Sequence, residues 1–197
     1  MNYFNINVEQ DDLIVVDLYN TLIRNNVRKH PYIMLYNHLK ERNPTFYLSS
    51  KEFFNFSMKN KMPIIDIIFL FQLKYDKNIL NNFYTFLDIE FDSIVYNTAL
   101  INFLNSLNNK KVILSNLSFE YSKPIDNLAS IFDFDKSVLS FNVSILKPNP
   151  QIFSYASSLY NKHTSECIMI GDNFHLDIDG SLKAGYKNGI LIEKWWK

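Results

Sequence analysis

The sequence predicts an α/β protein: a three-layer, Rossmann-like parallel sheet core with an inserted block of α-helices. Short apolar runs rich in β-branched residues alternate with helical patterns through most of the chain, which is typical of a parallel sheet covered by helices on both faces. Roughly 70 residues after the first run lack this alternation and indicate helices alone. The 197 residues, of which 47% are hydrophobic, suit one packed core with an insert.

Four apolar runs predict buried strands, and a fifth run is a further candidate. The four cover residues 13–16, 112–114, 167–170 and 190–192, and the fifth covers residues 137–139. Helical patterns at residues 100–107, 149–160 and 177–184 follow several of these runs. Pro150, near the start of one pattern, is typical of the first turn of a helix. This order of elements predicts the parallel sheet.

The helical stretch after the first strand is predicted to form a cap domain at residues 25–95, which leaves residues 1–24 and 96–197 as the core domain. Its predicted helices are residues 32–42, a segment opened by a capping box of Ser49 and Glu52, residues 64–75 after Pro63, and a segment from Asp76 to residue 87. The sequence shows no repeat and no flexible linker between these parts.

Polar residues stand directly after the predicted strands. Asp17 follows the first strand, Ser115 and Asn116 follow the second, and Asp172 follows the run at residues 167–170 by one glycine. Lys147 lies just before a proline. Because ligands of open parallel sheets bind at the carboxyl ends of the strands, we expect these side chains to form one site.

Four segments of the chain resemble, in order, the four motifs of the haloacid dehalogenase (HAD) superfamily. They are Asp17-Leu18-Tyr19-Asn20-Thr21-Leu22, Leu114-Ser115-Asn116, Lys147-Pro148-Asn149-Pro150-Gln151-Ile152-Phe153, and Gly171-Asp172-Asn173 with the later Asp177, Gly180, Ala184 and Gly185. The helical stretch lies where subfamily I of this superfamily has its C1-type cap. The resemblance implies a hydrolase whose cap selects the substrate.

The resemblance also implies roles for the residues that match its motifs. Asp17 would be the nucleophile and form a covalent aspartyl-phosphate, which divides one difficult step into two easier ones. Ser115 and the backbone N–H of Asn116 would hold the phosphoryl oxygens. Lys147 would neutralise the nucleophile and the transferred group, and Thr21 would orient the nucleophile.

A magnesium ion is the cofactor that the resemblance implies. Its expected protein ligands are Asp17, Asp172 and the backbone carbonyl of Tyr19, since Mg²⁺ prefers carboxylate and carbonyl oxygens. Asp177 is expected to support Lys147 or a metal-bound water, and Asn173 belongs to the same motif as a supporting residue. Two neighbouring carboxylates would repel each other without a cation between them.

Tyr19 is the main departure from the phosphatase pattern. Phosphatases of this superfamily usually have a second Asp at this position, where it protonates the leaving oxygen and then activates water. A tyrosine with an ordinary pKa near 10 is a poor base at neutral pH. Tyr19 therefore has another task in the active site, or the leaving group needs little protonation, or the activity is weak or absent.

Three functions follow from these motifs. The first is an Mg²⁺-dependent phosphohydrolase acting on a small phosphorylated metabolite, which we favour because Asp172 without a cation would be an unpaired buried charge. The second is a 2-haloacid dehalogenase, since those enzymes also have Asp-x-Tyr-x-Thr and Ser-Asn. The third is a weakly active or inactive protein that binds a ligand or a partner.

Charge and composition limit the other partners. Lys and Arg together number 20, as do Asp and Glu, so the formal net charge is zero. This balance argues against a nucleic-acid or anionic membrane partner. The first residues have no basic start followed by an apolar block, so we expect a cytoplasmic protein without a secretory signal. We expect a monomer or a homodimer.

Overall fold

The computed structural model describes residues 7–195. Residues 1–6 and 196–197, which belong to the predicted core domain, lie outside the described range. Within this range the chain forms a five-stranded parallel sheet flanked by helices, a two-stranded antiparallel ribbon and a helical insert. This arrangement confirms the predicted α/β fold. No helix in residues 7–195 combines the length and the apolar character needed to cross a membrane.

The parallel sheet has the order β5-β4-β1-β6-β7, with β1 at its centre. The strands of the chain are β1 (Leu13–Val16), β2 (Ile23–Asn25), β3 (Ile94–Tyr96), β4 (Lys111–Ser115), β5 (Lys136–Leu139), β6 (Cys167–Gly171) and β7 (Asn188–Leu191). Every predicted strand is present. The chain fills the sheet outward from β1 on one side through β4 and β5 and on the other through β6 and β7. The strand order therefore reverses at β1, where open sheets bind ligands.

Helices cover both faces of this sheet. The α-helices of the described residues, those of the insert included, are α1 (Pro31–Arg42), α2 (Ser50–Lys59), α3 (Ile64–Leu70), α4 (Lys77–Asp92), α5 (Thr98–Asn105), α6 (Pro124–Leu128), α7 (Ser140–Val143), α8 (Pro150–Ser158) and α9 (Gly180–Lys183). Ile14 and Val16 pack in a cluster with α5 and α6, whereas Leu13 and Val15 pack in a second cluster with α8. Successive side chains of a strand point to opposite faces, so β1 is buried on both sides.

Helices α1 to α4 form the insert, which has an apolar cluster of its own. Its buried members include Leu35, Leu39, Phe53, Ile67 and Phe83. Ser49 and Glu52 cap the start of α2 with the predicted reciprocal hydrogen bonds, and Asp76 caps α4. A cluster contributed by all four helices lets the insert hold its shape beside the sheet.

Three features of the insert differ from the sequence prediction. Helix α3 ends at Leu70, five residues early, because Gln72 takes a left-handed conformation with φ 53° and the chain turns there. Helix α4 continues to Asp92 rather than residue 87. The ribbon of β2 and β3 was not predicted, since three-residue strands show too little alternation. The ribbon lies where the chain enters and leaves the insert, and the domain division itself stays a prediction.

Candidate active site

The carboxyl ends of the three central strands bring the first group of predicted site residues together. Asp17 directly follows β1, Ser115 ends β4, and Asp172 directly follows β6. Strands β4 and β6 pair with β1 on its two sides in parallel register, so their ends lie at the same edge. The backbone N–H of Asp17 donates to the carbonyl of Ile170 at 2.9 Å, which fixes Asp17 beside the end of β6.

Lys147 lies between two carboxylates at this edge. Its Nζ is 2.7 Å from Oδ1 of Asp17 and 2.6 Å from Oδ1 of Asp177, and it also donates to the carbonyl of Leu114 at 2.9 Å. Burial by itself lowers the pKa of Lys147, but the two carboxylates outweigh burial and raise that pKa above its ordinary value. The side-chain amide of Asn116 holds the Lys147 backbone through two hydrogen bonds of 2.9 and 3.0 Å. The ammonium group is therefore charged and held in place.

Three carboxylates converge at the same point. Oxygen atoms of Asp17, Asp172 and Asp177 all lie within 4.8 Å of one another. Burial, followed by the charges of Asp17 and Asp177, raises the pKa of Asp172 to about 6. Because Lys147 supplies one positive charge against three carboxylates, the cluster is short of cationic charge. Its oxygen donors fit a hard divalent cation such as Mg²⁺.

Gly171 and Asn173 place Asp177 in this cluster. A Cβ atom at position 171 would collide with the Asp177 carboxylate, so only glycine allows this approach. The backbone N–H of Asn173 donates to Oδ2 of Asp177 at 3.0 Å, and the Asn173 side chain accepts from the backbone of Leu176. These contacts lie at the start of a π-helical turn that covers Phe174–Asp179. The helix predicted at residues 177–184 therefore begins earlier, at Phe174, and its first turn is a π-helical turn.

Two hydroxyl groups orient the Asp17 side chain. Ser115 Oγ donates to Oδ1 of Asp17 at 3.1 Å, and Thr21 Oγ1 donates to Oδ2 at 3.4 Å. Both carboxylate oxygens of Asp17 therefore accept a hydroxyl hydrogen bond. Asp17 is 6% exposed and Thr21 is fully buried, so the carboxylate is held in one orientation.

The side chain of Tyr19 is engaged away from this cluster. Its hydroxyl donates to the backbone carbonyl of Tyr121 at 3.3 Å, and the two rings meet edge to face. Burial, followed by the charge of Glu90, raises the pKa of Tyr19 far above its ordinary value. The Tyr19 hydroxyl is a weak acid in this setting. The predicted catalytic role of Tyr19 stays a prediction, and so does the binding of magnesium by the Tyr19 backbone carbonyl.

A cavity of about 450 Å³ lies between the insert and the carboxyl end of the sheet. The core lines it with Tyr19, Asn116 and Tyr121, and the insert lines it with Tyr32 and Phe54. This volume is in the range of small-molecule sites. Two of the lining residues adjoin the strand-end site in the chain, since Tyr19 comes two residues after Asp17 and Asn116 directly follows Ser115.

Two carboxylates that join the insert to the core were not predicted. Glu90 of α4 is 3% exposed and accepts from the hydroxyl of Tyr121 at 2.6 Å. Glu120, in the segment after β4, accepts hydrogen bonds from the hydroxyl of Tyr32 and from the backbone N–H of Ile64. No local pattern identifies these residues, because their partners lie 31 to 88 positions away. From the residues next to them in the chain, Glu90 and Glu120 would be expected to face solvent.

Comparison with known proteins agrees with the motifs. A family model described as haloacid dehalogenase-like hydrolase matches residues 12–185. The chain is 38% identical over 61 residues to the N-acylneuraminate-9-phosphatase of Homo sapiens. That match spans 31% of this chain and 25% of the human protein, so it covers only a small part of either.

Solved structures share the fold over nearly the whole chain. An HAD family enzyme from Bacteroides thetaiotaomicron, solved with magnesium and inorganic phosphate, has a TM-score of 0.65 at 16% identity and covers 95% of this chain and 96% of its own. A 2-haloacid dehalogenase from Pseudomonas syringae has a TM-score of 0.57 at 17% identity, covering 92% of this chain and 86% of its own. At these identities the likeness concerns the fold alone, which phosphatases and dehalogenases have in common.

Proposed function

The chain belongs to the haloacid dehalogenase-like hydrolase family, and on that premise we propose that it is an Mg²⁺-dependent phosphohydrolase of small phosphorylated metabolites. The single observation that carries this proposal is the convergence of Asp17, Asp172 and Asp177 within 4.8 Å. A site for one anionic phosphoryl group needs cationic charge to offset these carboxylates, and Lys147 supplies only part of it.

The proposed reaction has two steps at phosphorus. A carboxylate oxygen of Asp17 attacks the phosphoryl group, and the bond from phosphorus to the leaving oxygen breaks. Water then attacks the aspartyl-phosphate, which releases inorganic phosphate and restores the Asp17 carboxylate. Lys147 offsets charge on the nucleophile, and Ser115 donates its hydroxyl hydrogen bond from the end of β4.

Asp17, Asp172 and the backbone carbonyl of Tyr19 would hold the magnesium ion, with the Asp177 carboxylate beside them in a supporting role. When bound, the ion would supply electrostatic stabilisation of the phosphoryl oxygens. Lys147 and Asp177 form a contact of 2.6 Å, so Asp177 also keeps the ammonium beside Asp17. Most of the rate would come from positioning and electrostatics, as in phosphoryl transfer generally.

A 2-haloacid dehalogenase is the rival function, and Tyr19 is the residue that favours it. Halide leaves without a proton, so a dehalogenase needs neither an acid at position 19 nor a metal. Two further carboxylates beside Asp17 work against this function, because a dehalogenase that uses no metal has no divalent cation to offset them when its anionic haloacid substrate binds. The acidic cluster therefore favours phosphoryl transfer.

Product release from a substrate panel separates the possible functions. We expect inorganic phosphate from small phosphoesters with Mg²⁺ and none in excess chelator, and Asp17→Asn should abolish it. The matched control is Asp179→Asn, because Asp179 lies two residues after Asp177 in an exposed ion pair with Lys183. Halide release from 2-haloacids in chelator would instead support the dehalogenase. Neither product, with ligand-induced stabilisation alone, would indicate a binding protein.

A further inference from the structure

An alkyl phosphoester needs a proton donor, because an alkoxide is a poor leaving group at neutral pH. A donor in this protein must face the cavity where the leaving group would lie. Six of the described residues that line that cavity have titratable side chains: Tyr19, Arg28, His30, Tyr32, Glu90 and Tyr121.

The three tyrosines are unsuited to proton transfer. Burial is the largest cause that raises the pKa of Tyr19, Tyr32 and Tyr121 well above the ordinary value. Each hydroxyl also donates already, Tyr19 to a backbone carbonyl and the other two to carboxylates. Their protons are therefore both tightly bound and engaged.

Glu90 and Arg28 are unsuited for different reasons. Glu90 accepts four hydrogen bonds, from the backbone N–H groups of Lys29 and His30, the Asn25 amide and the Tyr121 hydroxyl, at 2.6 to 3.0 Å. Both of its carboxylate oxygens are therefore occupied as acceptors by groups of the protein itself, and neither is left to face a leaving group. The Arg28 guanidinium already donates to Oδ1 of Asn20 at 3.0 Å, and arginine does not act as an acid or base in proteins.

His30 is the group that remains. Its backbone N–H donates to Oε1 of Glu90 at 2.8 Å, and its backbone is left-handed with φ 53°. The side chain is exposed, and within residues 7–195 its imidazole has no hydrogen-bond or ion-pair partner. An anchored backbone with a free imidazole leaves the ring available to a ligand, and histidine is the side chain that most often acts as a general acid or base.

Hydrogen bonds connect His30 to the nucleophile segment across the cavity wall. Tyr19, two residues after Asp17, donates to Tyr121, whose hydroxyl donates to Glu90, which in turn accepts from His30. The charged residues next to His30 are Arg28 and Lys29 in the chain before it, and Glu90 of α4, which accepts from its backbone N–H. We propose that His30 is the general acid and base of this enzyme, a role that rests on the proposed phosphohydrolase function.

The proton balance of this role is simple. In the first step, a ring N–H of the imidazolium gives its proton to the leaving oxygen as the phosphorus–oxygen bond breaks, which yields a neutral alcohol and a neutral imidazole. In the second step, the imidazole takes a proton from the water that attacks the aspartyl-phosphate. Phosphate and the Asp17 carboxylate are released, and the imidazolium is restored.

His30→Asn is the variant that tests this role. Asparagine tolerates left-handed backbone, so the bond from the backbone N–H to Glu90 is retained. The matched control is His163→Asn, since His163 lies outside the cavity and caps a short 3₁₀ turn, a position that asparagine also favours. Thermal unfolding should be nearly the same for both variants and the unaltered chain.

The measurement compares two phosphomonoesters with Mg²⁺ present. Glycerol 3-phosphate has a leaving group that needs a proton, whereas p-nitrophenyl phosphate has one that leaves without it. We expect His30→Asn to lose about 100-fold in kcat/KM on the first and less than about threefold on the second. Equal losses on both, or no loss on either, would overturn the role of His30. If the unaltered chain released no phosphate from either ester, the result would contradict the proposed phosphohydrolase function itself.

Discussion

The hydroxyl of Tyr19 donates to the backbone carbonyl of Tyr121 at 3.3 Å, although Tyr19 stands two residues after the proposed nucleophile. At the position where the family resemblance implies an acid, this chain thus has a side chain that packs against the wall of the cavity. Tyr19 contributes ring contacts and one hydrogen bond there.

Tyr19→Phe should leave turnover within about twofold of the unaltered chain, because the hydroxyl gives no proton to the substrate. It should lower the free energy of unfolding by about 1 kcal/mol through the lost hydrogen bond. Steady-state kinetics with Mg²⁺ and urea denaturation followed by circular dichroism check the two parts. A tenfold or greater loss of turnover with an unchanged fold would show that the hydroxyl takes part in the reaction.

Tyr19→Asp should raise turnover on alkyl phosphoesters, because it places a carboxylic acid at the second position after Asp17. The same change should restore turnover to His30→Asn, since both residues would supply the one proton that the leaving oxygen needs. We expect a gain of tenfold or more in that background, given the usual size of acid–base help. Tyr19→Asn is the matched control and should restore nothing. No gain in either background would argue against this account of position 19.

Lys147→Met should destabilise the fold by about 3–5 kcal/mol, because it leaves the Asp17 and Asp177 carboxylates buried without their cation. Lys183→Met is the control: Lys183 pairs with Asp179 on the surface, and its loss should cost less than about 1 kcal/mol. Urea midpoints in the absence of magnesium give the comparison. Similar urea midpoints for the two variants would contradict the prediction that the buried ion pairs of Lys147 stabilise the fold.

Magnesium should raise the melting temperature at pH 7.5 and do so less at pH 5. Burial and two neighbouring carboxylates raise the pKa of Asp172 from 3.8 to about 6, so below that pH a proton competes with the ion. Without the ion, the folded chain binds this proton more tightly than the unfolded chain, so this group's contribution to stability falls as pH rises through 3.8 to about 6.

Asp172→Asn should remove the magnesium-induced rise in melting temperature, while Asp179→Asn should retain it. Differential scanning fluorimetry over a magnesium titration at the two pH values measures both effects. A rise that is equal at both pH values, or that survives Asp172→Asn, would contradict the proposed ligand set.

The site residues at the strand ends could be predicted from sequence because both their position and their chemistry are local properties. Asp17 and Asp172 follow apolar runs of four to five residues, and the order of elements brings the ends of such strands to one edge. Lys147 could be found only through its motif, since nothing in its own segment indicates that it reaches the Asp17 carboxylate.

The cavity residues could not be predicted, because their setting depends on packing between distant segments. Glu90 looks like a surface position on α4, yet it is 3% exposed because the chain before α1 and the Tyr121 side chain close over it. The early end of α3 depends in the same way on the left-handed turn at Gln72, a conformation that glutamine rarely takes. Burial of this kind is set by the tertiary fold.

Covalent capture of phosphate on Asp17 tests the central claim most directly. Rapid acid quenching during turnover with Mg²⁺, followed by peptide mapping by mass spectrometry, should find the phosphoryl group on the peptide that contains Asp17, and chelator or Asp17→Asn should remove it. Turnover by Asp17→Asn at the rate of the unaltered chain, or a phosphoryl group found on another residue of the active enzyme, would contradict the account.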